Sequence, residues 1–227
     1  MKRLLLIIVI AALAGLSATA QRRIDKRIYI GGKGGVLLTR QSLSPSVPQG
    51  WRLGPQVGGV FRYIEENHFG IMAELNFSQR GWKENFDGAP YSYSRSLTYI
   101  ELPIMTHIYF GSERFKGFVN LGPQIGVMIA NSASANFDTG NISALPDFPV
   151  NVHRTAQYGL EVKNRFDYGI MAGVGMEVAF GGRHSVMLEG RFYYGLGNVF
   201  SAKRSDAFSS SSGMAIGITA AYLFRLK

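Results

Sequence analysis

The sequence predicts an all-β fold, an eight-stranded antiparallel up-and-down transmembrane β-barrel, on three observations. From residue 28 onward, the connectors between about eight β-runs alternate strictly between very short and long. Within the runs, apolar and polar residues alternate with period two, because successive strand side chains point to opposite faces. Aromatic residues gather toward the ends of the runs and aliphatic ones fill the middle. That is the distribution of two girdles flanking a lipid-facing band.

The chain opens on a secretory signal. Lys2 and Arg3 form a basic start, Leu4 to Leu16 an apolar core, and Ala18-Thr19-Ala20 an A-x-A cleavage site before Gln21. A core of about 13 residues is too short to cross a ~30 Å hydrocarbon layer, which takes about 20. The expected organisation is therefore a signal peptide over 1–20, cut between Ala20 and Gln21, and one barrel domain over 21–227.

The first two runs, near 28–39 and 54–64, are diluted by glycine. The third, Phe69 to Gly81, sets Ile71, Ala73, Leu75 and Phe77 against Met72, Glu74, Asn76, Ser78 and Arg80. The fourth, Leu97 to Phe110, sets Ile100, Leu102, Ile104 and Ile108 against Tyr99, Glu101, Pro103, Met105 and His107. Near 116–130, Val119, Leu121, Ile125, Val127 and Ile129 oppose Asn120 and Gln124. Ile170, Val174 and Met176 then oppose Asp167, Gly173 and Glu177, and Val186, Leu188 and Phe192 oppose Glu189 and Arg191. The last run sets Ile216, Ile218 and Tyr222 against Gly217, Thr219, Leu223 and Arg225. Pro103 and Pro123 lack a ladder donor and are expected at bulges or register breaks.

The short connectors are 65–68, 111–114 and 181–183; the long ones fall near 40–53, 82–96, 131–165 and 197–212. Tyr29, Tyr63, Tyr109, Phe110, Phe180, Tyr222 and Phe224 would ring the short-turn rim, with Trp51 and Trp82 near the other. Eight strands close into a barrel whose interior side chains nearly fill it, which disfavours a wide diffusion pore.

The polar face carries charge of both signs. Glu74, Glu101, Glu177 and Glu189 can face Arg62, Arg80 and Arg191 across the lumen. Left unpaired, each would carry a desolvation cost of several kcal/mol, so mutual pairing or hydration is required. A structural plug is the expected role; a gated conduit or a polar ligand site is the alternative.

Other chemistry finds little footing. The chain has no cysteine, so disulfides contribute nothing to an exported protein. His68, His107 and His184 would lie toward the short-turn rim, and His153 in a long loop with Asp147 nearby. Nucleophile, base and orienting group cannot be assigned among them, and no cluster has metal-ligand spacing, so no catalytic, cofactor or metal residue is named. Gly31-Gly32-Lys33-Gly34-Gly35 superficially resembles a phosphate loop but lacks its Lys-Ser/Thr ending and helix. Glycines there more simply relieve crowding in a narrow lumen. The formal charge of +9 falls to about +7 without Lys2 and Arg3. Cations scattered along an exported chain argue against nucleic acid and suit lipid headgroups such as lipopolysaccharide phosphates.

Several segments resemble the PorT-like outer-membrane barrels of Bacteroidetes. Phe69-Gly70-Ile71-Met72-Ala73-Glu74-Leu75-Asn76-Phe77-Ser78-Gln79-Arg80-Gly81-Trp82 resembles their third strand, and Leu97-Thr98-Tyr99-Ile100-Glu101-Leu102-Pro103-Ile104 their next. Asn120-Leu121-Gly122-Pro123-Gln124-Ile125-Gly126 and the stretch from Arg191 to Asn198 are also similar to family segments. The resemblance implies an eight-stranded outer-membrane barrel. Its founding member serves type IX secretion, whereas the family is broad. The chain departs from the usual terminal aromatic, ending Phe224-Arg225-Leu226-Lys227.

The reading is a non-enzymatic, monomeric barrel in the cell outer membrane with long extracellular loops. Outer-membrane lipids including lipopolysaccharide, and envelope or secretion-system proteins met through loops 131–165 and 197–212, are the expected partners. A component of type IX secretion and a small lipid-modifying enzyme are the alternatives.

Overall fold

The computed structural model describes residues 26–86, 88–149, 155–202 and 206–227. The expected signal peptide, its Ala20–Gln21 junction and His153 lie outside these residues. The strands are β1 (Arg27–Ser44), β2 (Gln49–Gly50), β3 (Arg52–Glu66), β4 (Phe69–Glu84) and β5 (Tyr93–Gly111). They continue with β6 (Phe115–Ala135), β7 (Phe166–Phe180), β8 (His184–Gly195) and β9 (Ser210–Arg225).

Among the described residues, the eight long strands pair antiparallel with their chain neighbours, and β1 pairs with β9 to close the ring. The closing ladder is long, from Tyr29↔Arg225 to Ser44↔Ser210. The two-residue β2 sits outside the ring and pairs with β4. Closure matters because it leaves no strand edge to be satisfied by a solvent that cannot hydrogen-bond. Consecutive strands meet in tight turns at one end only. In the three-residue turn 181–183 between β7 and β8, Gly181 and Gly182 both adopt positive φ, at 58° and 75°, which glycine supplies freely.

The period-two pattern resolves into two faces as expected. Leu75 is 59% exposed and Val174 is 63%, whereas their neighbours Glu74 and Gly173 are buried. The barrel is thus inside-out relative to a soluble domain: its outer surface is aliphatic and its interior charged. An apolar belt on that scale is stable only against another apolar phase.

Three expectations need correction. The strands extend further toward the long-connector side than the runs suggested, leaving connectors at 45–51, 85–92, 136–165 and 196–209. Segments such as Arg40–Ser44 and Asn131–Ala135 carry only polar or small residues apart from Leu43, so hydrophobic alternation fades there although the ladder continues. The prolines mark no shift of register. The β5–β6 ladder lapses after Pro103↔Gln124 and resumes at Thr106↔Leu121 with the same offset. The shifts fall instead at Thr98/Tyr99 and Ile64/Glu66.

The aromatic girdles are also revised. Phe110, Phe180 and Tyr222 do face outward at the short-turn end, joined by Phe69 and Phe115. Tyr29 and Tyr109 turn inward instead. At the other end Trp51 is exposed, with Phe166, Tyr168 and Tyr194, but Trp82 is 0% exposed and belongs to an interior cluster. In β1, a Cβ on Gly31 would come within 2.7 Å of the Leu223 side chain, and one on Gly35 within 2.7 Å of the Thr219 methyl. These glycines admit neighbouring side chains to a crowded interior, and that is why the run is so poor in bulk.

Candidate functional site

The interior is organised as three charged layers, a capped mouth and an open vestibule. Nearest the short turns, Arg62 of β3 reaches across to Glu177 of β7. Its Nη1 and Nη2 donate to Oε2 and Oε1 at 2.7 and 2.8 Å. The two-point fork fixes direction as well as distance. The guanidinium also stacks over Tyr29 at 4.1 Å, which explains why that ring faces inward.

The middle layer centres on Glu74. Lys33 Nζ donates to it at 3.0 Å, Asn76 at 2.9 Å, and both Nη atoms of Arg191 reach it. Arg191 Nε donates to Glu189 at 2.6 Å, and Asn120 donates to the other Glu189 oxygen at 2.6 Å. Here two cations meet two acids, so the layer is neutral. Gly173 makes room for it, since a Cβ there would lie 2.2 Å from Glu189 Oε1.

In the upper layer Arg80 lies between Glu101 and Asp167. Its Nε sits 3.0 Å from Glu101 Oε1, an ionic contact off the line of a good hydrogen bond, and Nη2 donates to Asp167. Tyr193 donates its hydroxyl to Asp167 at 2.8 Å, and Gln56 donates to Glu101 at 3.3 Å. The Arg80 guanidinium stacks 4.0 Å from Tyr99. Between the layers, and between the upper layer and the mouth, are small voids of about 10 Å³ each, room for roughly one water.

Arg62, Glu74, Arg80, Glu101, Glu177, Glu189 and Arg191 are therefore all buried in the lumen, but in three separate clusters and not one network. Sequence reasoning left Lys33 and Asp167 out of the set. Period two on β1 was the available signal for Lys33, masked by its flanking glycines. Asp167 was read on the polar face without a partner being assigned to it.

Above these layers the long connectors fold inward over the mouth. Trp82, Phe86, Tyr93, Leu97, Phe148, Val162, Val199, Phe200 and Phe208 form one buried apolar cluster, with Phe137, Ile142, Leu145, Tyr158 and Leu160 packed against it. Trp82 packs edge-on to Phe200 at 5.9 Å. Polar ties hold the cap to the barrel. Arg95 Nη1 donates to the Leu160 carbonyl at 2.9 Å. Glu84 accepts from Gln157 at 3.1 Å and from the Tyr158 hydroxyl at 2.7 Å. Burial and the facing Glu84 carboxylate push the Tyr158 hydroxyl well above its ordinary range, so it stays a donor. Tyr158→Phe should accordingly cost about 1.5–3 kcal/mol locally, the worth of a hydrogen bond to a charged group. Amide exchange is the check: protection in 155–165 should fall while the strands stay protected.

At the opposite end the barrel opens into a vestibule of about 630 Å³ floored by Tyr29, Tyr109 and Glu177. Arg27, Arg114, Lys116, Arg183 and Arg225 line it.

The described histidines make no nucleophile–base pair with a serine. His68 Nδ1 contacts the Tyr109 carbonyl, His107 Nδ1 the Asn120 amide oxygen, and His184 Nδ1 the Tyr222 hydroxyl. No group of three His, Cys, Asp or Glu among the described residues could hold a metal ion.

A family model described as outer membrane protein β-barrel domain matches residues 19–201. No curated protein matches the chain. Among solved structures, the outer membrane protein OprG of Pseudomonas aeruginosa is 11% identical with a TM-score of 0.48, covering 89% of this chain and 97% of its own. Ail of Yersinia pestis, solved with the heparin analogue sucrose octasulfate, is 11% identical with a TM-score of 0.41, covering 87% and 99%. The outer membrane enzyme PagL is 10% identical with a TM-score of 0.41, covering 86% and 97%. Likeness at this level carries no ligand or activity across.

Proposed function

The chain belongs to the outer membrane protein β-barrel domain family, and from that premise we propose that it is a closed, non-enzymatic barrel whose loops present a surface to envelope partners. Its place is the outer membrane. The observation that carries the reading is the filled interior. Three layers of paired charge span the lumen, and an aromatic cluster covers the long-connector mouth. A barrel filled in this way serves as a rigid mount and not as a conduit.

The aliphatic belt meets acyl chains, and lipopolysaccharide is the lipid in contact with the long-connector half. Short turns then face the periplasm, by the usual arrangement of such barrels. Monomer is the expected state, because closure leaves no strand edge for a second copy. The signal over 1–20 would be removed on export.

Loops 136–165 and 196–209 do double duty under this reading. Their apolar side chains build the cap, so only their outward polar residues remain for a protein or glycan. Planar-bilayer recording tests the proposal. The reconstituted protein should give no steady channel, and a stable open conductance would overturn the closed-mount reading.

The resemblance of the Phe69–Trp82 and Leu97–Ile104 segments to PorT-like barrels favours a second reading, a part in type IX secretion. Loss of secreted cargo on deletion of the gene would select it.

A further inference from the structure

The vestibule at the short-turn end has a charge that the sequence disguises. Arg27, Arg114, Lys116, Arg183 and Arg225 are spread over almost two hundred positions, yet all five line one cavity. Strand parity explains three of them. Arg27 is in phase with inward-facing Tyr29, Lys116 with Phe118, and Arg225 with Leu223, so each occupies the last lumen-facing position of its strand. The two others come from the tight turns. The Arg225 amide donates to the Arg183 carbonyl at 2.7 Å, and the Ala179 amide to the Arg114 carbonyl at 2.9 Å, which fixes both turns on the rim.

These cations face little compensation. Among the described residues, two carboxylates line the cavity, Glu113 and Glu177, and both oxygens of Glu177 are bridged to Arg62. Lys26 and Glu65 pair with each other nearby at 3.2 Å. Among the described residues, Arg27, Arg114, Arg183 and Arg225 make no ion pair. The charged layers deeper in the lumen do the opposite and pair closely. Like charges converging on a walled cavity raise the local potential and concentrate anions.

We propose that this vestibule binds a compact anion bearing several phosphoryl groups. Guanidinium forks match phosphate oxygens two at a time, and four arginines with one lysine require more charge than a single carboxylate carries. The volume of about 630 Å³ suits a small molecule or a headgroup. The floor at Arg62–Glu177 stops a linear polymer from threading further. Phosphoryl groups could arrive on a soluble periplasmic ester or on an anionic phospholipid of the inner leaflet.

Calorimetric titration of tripolyphosphate into the purified protein in zwitterionic nanodiscs is the test. Arg27→Gln with Arg225→Gln should weaken binding about tenfold or more, and Arg114→Gln with Arg183→Gln, confined to turns, should do likewise. Lys163→Gln with Arg165→Gln removes the same charge at the opposite end and should leave affinity unchanged. Circular dichroism checks folding, and the turn pair keeps the test decisive if the strand pair misfolds. Absence of binding to the native protein overturns the proposal, as does equal weakening by the opposite-end pair. Tighter binding of a hexaglutamate peptide than of tripolyphosphate would also overturn it, in favour of an acidic protein segment. Adding phosphatidylglycerol to the discs separates the sources. Competition relieved by the rim variants identifies the lipid headgroup, and unchanged affinity identifies the soluble ester; both support the phosphoryl site.

Discussion

Arg62→Met should be among the most destabilising single substitutions in this chain, costing about 3–5 kcal/mol, because it strands Glu177 as a buried charge without its partner. The two groups are almost wholly buried and joined by two hydrogen bonds, so the loss has no solvent to soften it. Urea unfolding of the protein in lipid vesicles is the measurement. The informative comparison is the double variant Arg62→Met with Glu177→Met. Removing both charges at once should recover most of the loss, since an apolar pair of similar volume avoids desolvation altogether. If the double variant is as unstable as the single one, the site depends on these side chains for packing or hydration and not for charge balance.

Leu75→Arg is the second large effect expected, about 2–4 kcal/mol if the position lies near the bilayer midplane. Leu75 lies near the middle of β4 on the outward face, flanked there by Ala73 and Phe77. Val174→Arg on β7 should behave the same way. Placed one residue along, at Asn76, the same arginine would enter the lumen and meet Glu74. The contrast between adjacent positions reports which face meets lipid, independently of any functional assay.

Most of the fold was legible because a lipid-facing strand alternates strongly. Phe69–Phe77 shows the pattern cleanly: every second residue is aliphatic or aromatic, and the residues between, Met72 apart, are polar or small. Where the lipid-side residues turn polar, as Arg40, Ser42 and Ser44 do, alternation of hydrophobicity fades although the strand runs on. Trp82 departs from the expected girdle because aromatic type and strand parity disagree there. Period two puts it in phase with lumen-facing Arg80, and the connectors that fold over the mouth bury it, while Lys83 between Trp82 and Glu84 stays exposed.

The site was legible in kind and not in grouping. Charge of both signs on a lumen face requires pairing, and Arg62, Glu74 and Arg191 could be singled out on that ground alone. Which acid meets which base depends on barrel shear, which sets the height of each strand relative to those across the lumen. Arg62 meets Glu177 and Arg191 meets Glu74 across long sequence separations, and no local spacing encodes that. The five rim cations were invisible for the same reason. Their separation along the chain reads as scatter until the ring brings the strand ends together.

The apolar side of every strand needs hydrocarbon contact, and the charges of the three buried layers pair with one another. Dilution of the urea-unfolded chain, without residues 1–20, into plain buffer or into lipid vesicles puts this to the test. Circular dichroism should report β-structure, and exchange-protected amides should appear, only where vesicles are present. A monodisperse, cooperatively folded species in buffer alone would contradict it.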